Sequence, residues 1–156
     1  MEQIGDHPVY CDFRVTDPET QTAEKVAIRS EESGLNFCSC QDFRTNTLGT
    51  CEHIEFVLGK LRKKRGVKKL FQEKYTPPYS SIFLRYGQDR RLMLRIGSVK
   101  TDKMKKLAAS YFDESNILRP EAVAHIASFI EEAQKIDSDF RCYQDAMEYI
   151  IEQRDR

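Results

Sequence analysis

The sequence predicts an α+β fold: a small β-meander plus helix, followed by a β-hairpin and three helices. Three observations point to it. Short segments with apolar residues at alternate positions fill residues 8 to 40, and a 3.6-residue apolar period takes over from Cys51. Pro77-Pro78 then interrupts the helical pattern, and alternation resumes beyond it. The chain therefore reads as two domains, residues 1–76 and 77–156.

In the first domain PVYCDFRV alternates loosely, Asp17-Pro18-Glu19-Thr20 has turn composition, and AEKVAIRS is a second short strand candidate. Ser33-Gly34 precedes a third, LNFCSC. Ile54, Val57, Leu58 and Leu61 follow at i, i+3, i+4 and i+7, one apolar stripe on a helix running to about Arg65. Thr50 is its expected N-cap, and Gly66 ends or bends it. VKKLFQEKY adds a second helical stretch before the prolines.

In the second domain Ile82, Leu84 and Tyr86, then Leu92, Leu94 and Ile96, alternate on either side of YGQDRR, the pattern of a β-hairpin. Thr101-Asp102 offers an N-cap to a helix carrying Met104, Leu107, Ala108 and Tyr111 on one face. Pro120 starts a longer helix with Ala122, Ile126, Phe129, Ile130 and Ala133 on one side. Tyr143, Ala146, Met147 and Ile150 mark a last amphipathic helix.

Composition narrows the class. The 156 residues are 40 % hydrophobic and 32 % charged, too apolar for a disordered chain. No run reaches the roughly 18 to 20 apolar residues of a membrane span, and MEQIGDHPVY lacks the basic start and apolar stretch of a secretion signal. The expected location is cytoplasmic, with no membrane partner. The formal net charge is zero, yet it is segregated: residues 38–106 carry 17 basic and 6 acidic side chains, and both flanks are acidic. Such a stretch suits an anionic partner or the acidic flanks of its own fold.

Cysteine placement carries the chemistry. There are five, an odd number, and Cys38, Cys40 and Cys51 fall within fourteen residues while Cys11 and Cys142 lie far away. This argues for reduced thiols, three of them clustered as metal ligands are. The pattern is Cys38-x-Cys40, ten residues, then Cys51-x-His53. Side chains at i and i+2 of an extended chain face the same way, and Cys51 and His53 enter the first turn of the helix. Three thiolates and an imidazole suit Zn²⁺ in a closed, structural tetrahedron. Its removal is expected to unfold the small first domain, since structural zinc in small fingers contributes roughly 10 to 16 kcal/mol. The alternative is a set of buried reduced cysteines. Cys11 and Cys142 read as core thiols, and His7 and His125 as structural or surface histidines.

CxCx₁₀CxH running directly into an apolar helix resembles the SWIM zinc finger. QDFRTNTLGTCEHIEFVL is similar to the version found ahead of the motor in bacterial Swi/Snf-type helicase-like ATPases. The likeness to SWIM covers about residues 8 to 65, with Cys38, Cys40, Cys51 and His53 as the ligands, and it makes residues 1–76 a SWIM-type zinc-finger domain. From YSSIFLRYGQDRRLMLRIG onward the chain resembles, by order and general pattern, the accessory region of such ATPases. The resemblance implies a helicase-associated module that binds DNA or proteins.

No GxxxxGK[ST] loop is present to cradle phosphates, so this chain is not itself the ATP-driven motor. The most plausible nucleophiles are committed as ligands, and Glu131-Glu132, adjacent on a helix, diverge by about 100°. No enzyme activity is expected. Arg62, Lys63, Lys64, Arg65, Lys68 and Lys69 place six cations within eight residues at the helix end. They read either as a solvated helix terminus that stabilises the dipole or, with Arg90, Arg91, Arg95 and Lys100, as contacts to DNA phosphates of low sequence specificity. A different function is a protein-interaction or autoregulatory module docking its helices, residues 119–153, on the ATPase motor domain or another partner.

Overall fold

The structure is a computed structural model that describes residues 1–32, 34–73 and 77–155. Its architecture is α+β, and the chain divides into two compact units. One comprises Met1–Tyr75 with Arg85–Arg90, the other Thr76–Leu84 with Arg91–Arg156. All of the YGQDRR hairpin tip except Arg91 is thus grouped with the first unit although it lies beyond Pro77-Pro78.

The first unit holds β1 (Glu2–Gln3), β2 (Asp12–Thr16), β3 (Ala23–Ala27) and β4 (Phe37–Cys38), a four-stranded antiparallel sheet in sequence order. Phe13 stands opposite Val26, and Val26 opposite Cys38, so the register carries the buried face directly to the first ligand. The turn between β2 and β3 forms as its composition dictates, with Asp17 Oδ1 accepting the Glu19 N–H. Strand β1 has no apolar residue, so alternation could not reveal it.

Helix α1 (Gln41–Thr45) fills part of the ten-residue connection, and α2 (Glu52–Arg62) lays its buried Ile54, Val57, Leu58 and Leu61 against β2, β3 and β4. Helix α2 stops at Arg62, three residues before the expected end. Gly66, at φ +84°, adopts the left-handed conformation glycine accepts without strain and leads into α3 (Val67–Gln72). Positions 74 and 75, the end of VKKLFQEKY, and Ser33 of the expected turn lie outside the described residues.

In the second unit β5 (Ser81–Arg85) and β6 (Arg91–Arg95) form the expected hairpin, joined by five residues, too few for a parallel crossover. A two-residue strand, β7 (Arg141–Cys142), pairs in parallel with the other edge of β5. That makes β5 central, and Ser81, Ile82, Phe83 and Leu84 are all buried where alternation alone would have left two of them out. Helices α4 (Thr101–Ala108), α5 (Ile126–Ile136) and α6 (Gln144–Arg154) complete the unit. Phe129, wholly buried, has the rings of Tyr111, Phe112 and Phe140 at 5.1, 5.1 and 6.0 Å.

Two helix starts differ from expectation. Lys100, in a left-handed conformation, is the N-cap of α4, and the Thr101 hydroxyl instead donates to Gly97 O at 2.8 Å. Pro120 opens a 3₁₀ segment, Pro120–His125, and the α-helix begins only at Ile126. Two buried polar side chains of the second unit are paired: Asp137 accepts the Ser80 N–H at 3.0 Å, and Ser80 Oγ accepts the Gly97 N–H at 2.8 Å. No helix among the described residues is long and apolar enough to cross a membrane.

Candidate metal centre

Three short elements deliver the four candidate ligands. Cys38 ends β4, Cys40 is the N-cap of α1, and Cys51 is the N-cap of α2, with His53 in that helix's first turn. Cys51 takes the capping position expected of Thr50, whose hydroxyl instead donates to Glu55 Oε1 at 2.8 Å. The backbone stays extended at Cys40 (φ −71°, ψ 156°), which preserves the i, i+2 facing of Cys38 and Cys40 after the strand has ended.

The ligand atoms of Cys38, Cys40, Cys51 and His53 all lie within 4.8 Å of one another. His53 Nδ1 is 3.7 Å from Cys38 Sγ and 4.0 Å from Cys51 Sγ. A tetrahedral ion with bonds of about 2.0 to 2.3 Å holds such atoms about 3.5 to 3.8 Å apart, so the cluster needs a contraction of at most about 1 Å. All three cysteines are buried, Cys38 completely. The donor set, its closure and its burial together make a group that could hold a metal ion.

The backbone prepares the site for negative sulfur. The Phe43 N–H donates to Cys40 Sγ at 3.3 Å. The Cys40 amide lies against Cys38 Sγ, and the Ile54 and His53 amides lie near Cys51 Sγ without closing a full capping hydrogen bond. A hydrogen bond from Cys38 holds the Cys51 thiol down at about 5, with the Ile54 and His53 amides assisting against burial. The same contact with Cys51, then burial, pushes Cys38 up. Burial raises Cys40 against the Phe43 N–H. One thiolate is therefore favoured at the start of α2 and its neighbours resist ionising beside it. A coordinated cation reverses that order, because a ligating thiol is deprotonated outright.

His53 turns Nδ1 to the sulfurs, and its Nε2 lies 4.0 Å from Glu52 Oε1, the direction from which a carboxylate can fix ring orientation. Two further residues escaped sequence reading. Phe43 stands three residues after Cys40, the spacing at which an N-cap receives its N–H, and this was legible once Cys40 was seen as a cap. Tyr86 packs its ring on Phe43 with centroids 4.5 Å apart, and its N–H donates to Gly34 O at 2.6 Å. Arg90 closes the same corner, donating to Arg44 O at 3.0 Å with its guanidinium 5.5 Å from the Tyr86 ring centroid.

The six candidate phosphate-binding cations do not join this cluster. Arg62 lies at the opposite end of α2 from Cys51, about 16 Å along the helix. Arg62, Lys63, Lys64, Arg65, Lys68 and Lys69 are all exposed. Arg62 pairs with Glu31 at 3.5 Å and Lys69 with Glu73 at 3.7 Å. Among the described residues Lys63, Lys64, Arg65 and Lys68 have no carboxylate within ion-pair distance. His7 Nδ1 accepts the Val9 and Tyr10 N–H groups, a structural role, while His125 is exposed and Cys11 and Cys142 are half-buried. No family model, curated protein or solved structure matches the chain.

Proposed function

We propose that the chain is a zinc-binding, SWIM-type module that contacts DNA phosphates and has no catalytic activity of its own. The observation that carries it is the closed set of Cys38, Cys40, Cys51 and His53. Three thiolates and an imidazole in a tetrahedral arrangement are the ligand chemistry of structural zinc, and a complete protein shell leaves no position for water or substrate. With Zn²⁺ the centre carries a formal charge of −1, which the amides around the sulfurs offset. The ion would fasten the end of β4 to the start of α2, as the resemblance to SWIM fingers implies.

The basic end of α2 supports the choice of nucleic acid. Cations at a helix C-terminus stabilise its dipole, and that accounts for Arg62 and the residues just after it. It does not account for Lys68, which occupies the first turn of α3, where a cation opposes the dipole and no acidic residue of that turn offsets it. Such a cluster suits an external polyanion. By the same resemblance the module would serve a Swi/Snf-type helicase-like ATPase. Metal analysis together with a salt titration of DNA binding tests both halves. Steep loss of affinity with salt is expected, and absence of binding at low salt overturns the DNA assignment.

A second reading, docking on the ATPase motor or another protein, draws on α6, where Met147 and Ile151 are exposed one turn apart. A defined complex with the ATPase lobes, abolished by Met147→Glu with Ile151→Glu, would favour it.

A further inference from the structure

The second unit carries a groove that neither the metal centre nor the basic run uses. It lies between α4 and the end of β6 and has a volume of about 470 Å³, within the range of small-molecule sites. Phe83 and Leu94, both buried, form its floor, and Arg95, Lys105 and Asn116 stand around it. A second hollow of about 400 Å³ shares Ile96, Lys105 and Asn116 and adds Arg119, so the depression continues along the helix.

Three features give the first hollow a chemistry. It is lined by two cations and by no carboxylate. Asp113 and Glu114 border only the second hollow, where Asp113 Oδ1 already accepts the Ser115 and Ile117 N–H groups. The cations are placed differently. The Arg95 guanidinium stands over the Phe83 ring, 5.5 Å from its centroid, while Lys105 projects from α4 on the same side as Thr101, with no carboxylate within ion-pair distance among the described residues. Asn116 is fixed by its backbone, its N–H donating to Asp113 O and its carbonyl accepting from Leu94, both at 2.9 Å. Its side-chain amide has no hydrogen-bond partner among the described residues, leaving a donor and an acceptor half-buried at the groove wall.

We propose that this groove binds a nucleotide-type phosphomonoester, with the phosphate between Arg95 and Lys105 and the heterocycle on the apolar wall within reach of the Asn116 amide. Arg and Lys together suit a phosphate dianion, the apolar floor favours a flat ring over a bare anion, and an amide can pair with a heterocycle edge that presents both a donor and an acceptor.

The test is an amide-resolved NMR titration of the full, metal-loaded chain with adenosine 5′-monophosphate, adenosine and inorganic phosphate. The monophosphate is expected to shift residues 94–98, 101, 105 and 116 and to bind about tenfold or more tighter than either fragment. Lys105→Ala, at an exposed position, is expected to weaken it about tenfold, as is Asn116→Asp, which places a negative charge beside the phosphate. Shifts confined to residues 62–69, equal affinity for inorganic phosphate, or no shift at all would overturn the proposal.

Discussion

Tyr86→Ala probes how far the unit around the candidate metal centre extends along the chain. Tyr86 is 9 % exposed, packs 4.5 Å from the Phe43 ring and 6.2 Å from that of Phe37, and sits at the start of a hairpin tip distant in sequence from the ligands. An aromatic side chain buries roughly 150 to 250 Å², worth about 4 to 6 kcal/mol at 25 cal/mol per Å². Alanine keeps part of that, so the expected cost is about 3 to 4 kcal/mol, in line with other aromatic truncations. A unit of about 80 residues has a total stability of about 4 to 12 kcal/mol, so a quarter or more of it is at stake. The melting temperature of the unit should fall by about 12 to 30 °C. The assay is thermal loss of the visible bands of the Co²⁺-loaded protein, which report thiolate ligation and hence the first unit alone. Melting within about 3 °C of the unsubstituted chain, well below the shift expected, would show that the tip does not belong to the first unit and would refute the reasoning.

Replacing Lys63, Lys64 and Arg65 by Glu should reduce the slope of log affinity against log salt for duplex DNA by about 2.7, some 0.9 for each lost phosphate contact, as fluorescence anisotropy can measure. Burial and a hydrogen bond with Tyr143 push the Tyr79 phenol up to about 12 from an ordinary 10. A folded value above the unfolded one means that this stability is full below pH 10 and is lost as pH rises toward 12. An absorbance titration of the phenolate should find Tyr79 ionising late, and Tyr79→Phe should flatten the alkaline loss of stability. Gly97→Ala would place a methyl group 2.4 Å from Pro78 O and 2.4 Å from the Tyr79 carbonyl carbon. The overlap is with backbone that cannot rotate away, so a loss of about 3 kcal/mol is expected in denaturant unfolding followed by near-UV circular dichroism.

Much of the fold was legible because the larger elements bury one face at a regular period. Helix α2 is the clearest case: Ile54, Val57, Leu58 and Leu61 are all buried. The four candidate ligands were legible for a similar reason, since side-chain facing over two residues is a local property that survives at Cys40 even outside a strand. What escaped depends on tertiary partners. The strand β7 has only two residues and exists because β5 offers it an edge. Lys100 caps α4 although Thr101 has the better capping side chain, because that hydroxyl is drawn to Gly97 O. Phe43 and Tyr86 meet across more than forty residues of sequence, and no periodicity carries such a contact.

Zinc content of the reduced, purified chain, with parallel substitution of the cysteines, bears most directly on the metal centre. Native mass spectrometry should find a single ion per chain, lost in Cys38→Ser and His53→Ala but retained in Cys11→Ser and Cys142→Ser. A chain that takes up no zinc when titrated under reducing conditions, or one whose zinc survives loss of Cys38, would contradict the assignment.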